Sequence, residues 1–254
     1  MNDRDNKKSH SVGPYNIVIL TTGLSGSSVL AGLFKRAGYW SGNKTVVKNN
    51  TTGNYDTFES EDFVKLNSKL CELAGYEFTS CSWYQSADRE IFEKLSSNID
   101  STSFNDFLSD NQQKSPWVFK DPKCWLTIGY WAHFIDKENT KFIILCRNIF
   151  GLWLSQVYKR IIYDFKFLSK SESQAKQDLA RFLEKNGFEF IEVNYETLVK
   201  NTEKEVLRIN TFAHSEISIS DWNSIYKSPP LFENLKRLIL SPLIYLKNYK
   251  GRIY

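Results

Sequence analysis

Histidine and cysteine are scarce in this chain of 254 residues, which has three of the first and four of the second. Cys71, Cys81, Cys124 and Cys146 show no CxxC spacing. With so few imidazoles beside them, no zinc site is expected. Cys124 and Cys146 stand in apolar contexts and read as buried thiols. Long apolar runs are missing too. The longest, such as Phe142–Cys146, have the length of a strand, whereas a membrane span needs about 20 apolar residues. Residues 1–13 mix both charges without the apolar core of a signal peptide. They read as a disordered leader, and a cytoplasmic location is the default expectation. Charge of one sign is also in short supply, with 33 Lys and Arg against 29 Asp and Glu for a net +4. So small a surplus suits an anionic ligand held at one site and not a nucleic-acid partner.

What is present is enough for a sizeable core: 41% of residues are hydrophobic and 15% aromatic. Residues 15–21 are β-branched and apolar, as in a buried strand. A small, glycine-bearing loop follows over Thr22–Ser28. Val29, Leu30, Leu33 and Phe34 then recur at helical spacing up to Gly38. Gly42–Phe58 is polar and reads as a long exposed loop, and Glu59–Leu73 as a helix. Two further helices are expected around 88–98 and 101–112. Trp117–Phe119 predicts a short strand, Cys124–Ile135 a helix, Lys141–Cys146 a strand and Asn148–Phe165 a long aromatic helix. Ser169–Asn186 predicts an amphipathic helix with Ser171 as a cap, Phe188–Val193 a strand, and Thr202–Phe212 a helix with Thr202 and Glu205 at capping-box spacing. Leu231–Tyr254 holds an apolar helical segment with a basic end. Continuous apolar strands alternating with helices argue for a three-layer α/β domain over residues 14–254, a parallel sheet covered on both faces.

Ligands of such sheets bind outside the carboxyl ends of the strands, near a reversal of strand order. Three strand ends here carry polar groups. The first is Thr21–Ser28, where small residues let backbone N–H groups approach an anion at a helix start. Ser25, Ser27 and Ser28 add hydroxyl donors. Alone it reads equally as an ordinary strand-to-helix turn. It is no Walker A loop, since no lysine precedes Ser27 or Ser28, which counts against a magnesium-dependent kinase. The second end, Lys120-Asp121-Pro122-Lys123, also reads as a solvated turn. The third is Arg147-Asn148 with Ser155 eight positions later. There the arginine can grip a phosphate with two donors, or simply begin a helix. The three together suit a ligand with anionic groups at two ends.

Taken in order, these segments resemble the sulfotransferase superfamily, in particular its bacterial branch with a P-loop-like fold. Ser25-Gly26-Ser27-Ser28 is similar to the family's Ser-Gly-Thr-Ser loop, and Asn50–Asn67, with Phe58-Glu59, to the segment after it. Lys120-Asp121-Pro122-Lys123 is similar to K-D-P-R, Arg147 through Ser155 to R-(N/D)-P…S, and Asn194-Tyr195-Glu196-Thr197-Leu198 to Y-E-D-L. The resemblance spans about residues 15–213. It implies 3′-phosphoadenosine 5′-phosphosulfate as donor, no metal, and a hydroxyl or amine of a carbohydrate or small molecule as acceptor. It further implies that Ser25, Gly26, Ser27 and Ser28 hold the 5′-phosphosulfate, with Lys123 as a further cation. Arg147 and Ser155 would hold the 3′-phosphate, and Tyr195 would lie near the adenine. Lys120 would approach the sulfuryl group, with Asp121 or Glu59 as the base. One position departs from the family: the basic residue usual before Ser-Gly is Leu24. A weakly active or inactive nucleotide-binding relative is therefore the alternative. The glycine-rich basic segment of some relatives is echoed by Lys250-Gly251-Arg252.

Overall fold

The computed structural model describes residues 13–50, 53–76, 89–95, 101–228 and 231–248. The expected leader (save Gly13) and Lys250-Gly251-Arg252 lie outside the described residues. Four parallel strands, β1 (Asn16–Leu20), β4 (Val118–Lys120), β5 (Thr140–Cys146) and β6 (Phe190–Asn194), form the central sheet in the order β4-β1-β5-β6. Their side chains alternate across it. Val18, Leu20, Phe119, Phe142 and Ile144 face one apolar layer, while Ile17, Ile19, Val118, Ile143 and Leu145 face the other. Both faces of β1, β4 and β5 are buried, so these three read as apolar runs, while β6 at the edge is only partly covered.

The first layer comprises α2 (Glu61–Leu73), α3 (Arg89–Leu95), α4 (Thr102–Gln112), α5 (Cys124–Trp131) and α7 (Phe165–Lys185). Opposite lie α1 (Ser27–Arg36), α8 (Tyr195–Lys200), α9 (Thr202–Ala213) and α10 (Ile219–Ile225). Asn67 of α2 ties the first layer together without being exposed to water. Its amide donates to Asp121 Oδ2 at 3.0 Å. Its carbonyl accepts from Thr127 Oγ1 at 2.6 Å and Trp131 Nε1 at 2.7 Å.

The sheet and most helices stand where the sequence pattern puts them, and the differences have physical causes. The polar stretch expected to be a loop is an antiparallel ribbon, β2 (Thr45–Asn50) and β3 (Gly53–Ser60). Its apolar alternation is faint because its buried side chains are Thr57, Glu59 and Ser60 while Val47 is exposed. Glu59 therefore belongs to a strand, and α2 begins after it with Ser60 as cap. The ribbon locks onto α1 through Phe58, whose ring would lie 2.8 Å from a Cβ at Gly32.

The long aromatic helix is instead α6 (Ile149–Tyr158). It stops before Arg160, whose φ of 59° is left-handed. The next helix, α7, is capped by Asp164 and not by Ser171, with the Asp164 carboxylate accepting from Phe167 N–H. Nor do Thr202 and Glu205 form a capping box. The N-cap there is Asn201, and the Thr202 hydroxyl donates to Leu198 O at 2.9 Å. The reciprocal box is made by Ser218 and Asp221 at α10.

Replacing Asn67 by Leu leaves the Asp121 carboxylate, the Thr127 hydroxyl and the Trp131 indole N–H without their partner. Denaturant unfolding is expected to show a loss of roughly 3–5 kcal/mol.

Candidate functional site

Because all four strands are parallel, Leu20, Lys120, Cys146 and Asn194 end on one edge of the sheet. The residues that follow them, from Thr21, Asp121, Arg147 and Tyr195 onward, gather there. The order reverses between β1 and β5: the chain leaves β1 for β4 on one side and returns to β5 on the other. That is the ligand-binding position of open parallel sheets.

The β1–α1 loop is shaped by three left-handed residues, Gly23 (φ 106°), Leu24 (52°) and Gly26 (83°). Inside it the Thr21 and Ser25 hydroxyls are hydrogen-bonded to each other. Gly26 is the N-cap of α1 and supplies no side-chain acceptor. Among the described residues no acceptor meets the backbone N–H of Gly26, Ser27 or Ser28. Free amides at a helix start carry partial positive charge. Tyr195 packs against the loop, since a Cβ on Gly26 would fall 2.3 Å from its ring. Glycine is therefore required at position 26 both by conformation and by space.

Arg147 joins the loop to the end of β5. Its Nη1 donates to Leu24 O at 2.7 Å and lies 3.4 Å from Ser155 Oγ. Its guanidinium sits 5.5 Å from the centre of the Tyr195 ring. Nε is buried without a hydrogen bond, and its nearest carboxylate oxygen, on Glu196, is 3.7 Å away. Burial lowers the pKa of Arg147, and nearby Arg237 adds to the effect while Tyr195 and Glu196 oppose it.

Arg237 comes from α11 (Leu231–Asn248), which packs along α6, and its Nη1 is 3.5 Å from Ser155 Oγ. With Lys159 these groups line a cavity of about 140 Å³, bounded also by Leu24 and Tyr158. Three cations and no carboxylate face that space. The Lys159 pKa is lowered by burial first and then by Lys48 and Arg237. A wider hollow of about 310 Å³, lined by Thr22, Glu172, Lys176 and Asn194, opens on the α7 side of Arg147.

Lys120 and Glu59 form the other half of the site. Lys120 Nζ lies 2.6 Å from Glu59 Oε1, with 2% and 5% of the two side chains exposed. The ammonium also donates to Ser28 Oγ at 3.2 Å, and Glu59 Oε2 meets Lys48 at 3.3 Å. Burial pushes the Glu59 carboxyl up, but Lys120 and Lys48 together outweigh it and hold the carboxyl below its ordinary value. Burial also depresses the Lys120 ammonium, only partly offset by Glu59.

Asp121 is enclosed. One oxygen accepts from Asn67, and the other accepts from Lys123 N–H at 3.0 Å. It organises the turn into α5. Lys123 Nζ is 3.9 Å from the same carboxylate. Ser25, Gly26, Ser27, Ser28, Lys120, Glu59, Arg147, Ser155 and Tyr195 thus meet on one rim, while Asp121 and Lys123 pair with each other at the β4–α5 turn. Sequence reasoning missed Arg237 and Lys48 as members of this rim. Their only signal was a cation in an apolar or polar run, with nothing to give its distance from position 155 or 59.

Glu59 stabilises the fold when ionised. This contribution is complete above its ordinary value of 4.5 and is lost as pH falls through the lower folded value. In Glu59→Gln that acid-side loss is expected to vanish from denaturation curves taken across pH. The variant also leaves Lys120 buried opposite a neutral group, at a cost of about 3–5 kcal/mol at neutral pH.

No protein-family model matches the chain, and comparison with curated proteins finds no match. Solved structures do match. The sulfotransferase domain from the Synechococcus PCC 7002 olefin synthase superposes with a TM-score of 0.51 at 17% identity, over 89% of this chain and 82% of that one. The sulfotransferase domain from the curacin biosynthetic pathway gives a TM-score of 0.51 at 17% identity, over 85% and 79%. The parallel sheet, its flanking helices and the rim of residues at its carboxyl edge are carried on the fold of sulfotransferase domains.

Proposed function

We propose that this protein transfers a sulfuryl group from 3′-phosphoadenosine 5′-phosphosulfate to a hydroxyl or amine of a carbohydrate or small-molecule acceptor. The observation that carries the reading is the hydrogen bond from Arg147 to Leu24 O. It holds two anion-binding groups, the open amides of the serine loop and the Arg147–Ser155–Arg237 cavity, within one short span. A donor with anions at both ends is the class of ligand that two such groups could share. The orphaned Arg147 Nε and the three cations of the smaller cavity fit a phosphate. The Tyr195 ring, between the loop and Arg147, stands next to both groups and is the aromatic side chain beside which a base would lie.

Sulfuryl transfer from this donor breaks the bond between sulfur and the bridging phosphate oxygen and forms one to the acceptor oxygen or nitrogen, with loss of the acceptor proton. The protein must position the two partners and neutralise charge that gathers on the leaving oxygen. Lys120 suits the second task. It reaches Ser28 at the loop and is fixed by Glu59, so it needs no reorganisation. Where relatives place a cation before Ser-Gly, Leu24 packs beside Leu152, Ile162 and Leu168, which supports Lys120 in its stead. Both carboxylates beside Lys120 are engaged, Glu59 by Lys120 and Lys48 and Asp121 by Asn67 and Lys123 N–H. Glu59, which stands on the rim while Asp121 is enclosed in the turn behind it, is the one assigned to the acceptor proton. Leu24 also favours a second reading, a relative that binds nucleotide with little or no transfer.

Calorimetry with adenosine 3′,5′-bisphosphate is expected to show saturable binding that Arg147→Ala weakens at least ~10-fold. Absence of heat at millimolar nucleotide would end both readings. With labelled donor and a panel of hydroxyl and amine acceptors, Lys120→Met is expected to lower turnover roughly 10²–10³-fold, with thermal unfolding reporting separately the loss of its pairing with Glu59. Binding without label transfer to any acceptor would select the second reading.

A further inference from the structure

Helix α11 is anchored along one side only. Ser241, fully buried, donates to Leu154 O at 3.0 Å. Arg237 reaches Ser155, and the Tyr245 ring lies 5.5 Å from Trp153. At 100° per residue, the side diametrically opposite Ser241 is formed by Phe232, Leu235, Ile239, Leu243 and Leu246. These five side chains are 46–71% exposed, as is Leu238 beside them at 50%. The spacing of three, four, four and three is that of an apolar helix stripe, yet it points away from the body of the protein.

Charge decides what such a stripe meets. Residues 227–254 hold six Lys and Arg and one acid, Glu233. The remainder of the chain has 27 cations and 28 acids, so the protein's whole positive surplus is carried by this segment. Lys236 and Lys247 fall on one border of the stripe at helical spacing. A second copy laid against it would set lysines against lysines. An apolar stripe bordered by lysines matches an anionic lipid surface, where the side chains enter the boundary between headgroups and acyl chains and the ammonium groups stay among phosphates. No helix among the described residues is long and apolar enough to cross a membrane, so α11 would lie in the plane of the surface.

We propose that α11 docks this protein on anionic membranes through the Phe232–Leu246 stripe and its lysine border. The inference stands apart from sulfuryl transfer, because its test uses neither donor nor acceptor. The full chain is floated with vesicles of phosphatidylcholine alone and of phosphatidylcholine with about 30% phosphatidylserine. The expected result is recovery with the anionic vesicles and little with the neutral ones, falling as salt is raised. Ile239→Ser with Leu243→Ser, and separately Lys236→Glu with Lys247→Glu, are each expected to weaken partitioning at least ~10-fold. Unchanged thermal unfolding shows that the variants are folded, and the salt titration of the parent chain needs no variant. Three results would each overturn the proposal: no flotation, flotation indifferent to phosphatidylserine, or flotation indifferent to both pairs of substitutions. A dimer seen by light scattering and dispersed by the Ile239→Ser, Leu243→Ser pair would overturn it too, giving the stripe to a second copy.

Discussion

An ammonium and a carboxylate, Lys120 and Glu59, face each other 2.6 Å apart where almost no water reaches them. Neither could be left alone there, because an unpaired buried charge is far more costly than the pair. The consequence is geometric. Lys120 ends a strand of the central sheet, Glu59 lies in the ribbon that covers the rim, and Ser28 accepts from the same ammonium at the start of α1. Three segments distant in sequence are thereby held in one arrangement. The position of the ribbon, and with it Lys48, follows from satisfying this pair.

Arg147 plays the matching part on the other side of β1. It satisfies the Leu24 carbonyl, which a left-handed residue turns out of the ordinary helical path, and so fixes the loop against β5. Behind the rim, Asn67 holds Asp121 still and spreads the constraint to Thr127 and Trp131. The pairing thus continues inward: Asp121 is backed by the Asn67 amide, whose carbonyl is in turn held by Thr127 and the Trp131 indole. Each group lowers the freedom of the one in front of it.

Much of this was legible in the sequence where one physical signal dominated. Strands covered on both faces wrote themselves as apolar runs, and the parallel order put the residues after Leu20, Lys120 and Cys146 on one edge. The serine loop and Arg147 could be singled out because small residues and a lone cation follow those runs directly. Other parts were hidden for stated reasons. The ribbon buries hydroxyls and a carboxylate, so it lacks the alternation that marks a half-buried strand. The break at Arg160 depends on one backbone angle in a residue type that rarely adopts it. Arg237 joins Ser155 across 82 positions, and no local pattern encodes a meeting of that kind.

Strand β1 lies between β4 and β5, pairing Ile17 with Val118 on one side and with Lys141 on the other. Both neighbours are made more than a hundred residues later. A ribosome that has released Asn16–Leu20 must therefore extend the chain to Val118 and beyond before either flank of that strand can be covered. Closing contacts over such distances is slow, and an apolar strand with two open edges invites wrong pairing while it waits. The central position that makes β1 the best-protected strand of the finished protein makes it the most vulnerable one during synthesis.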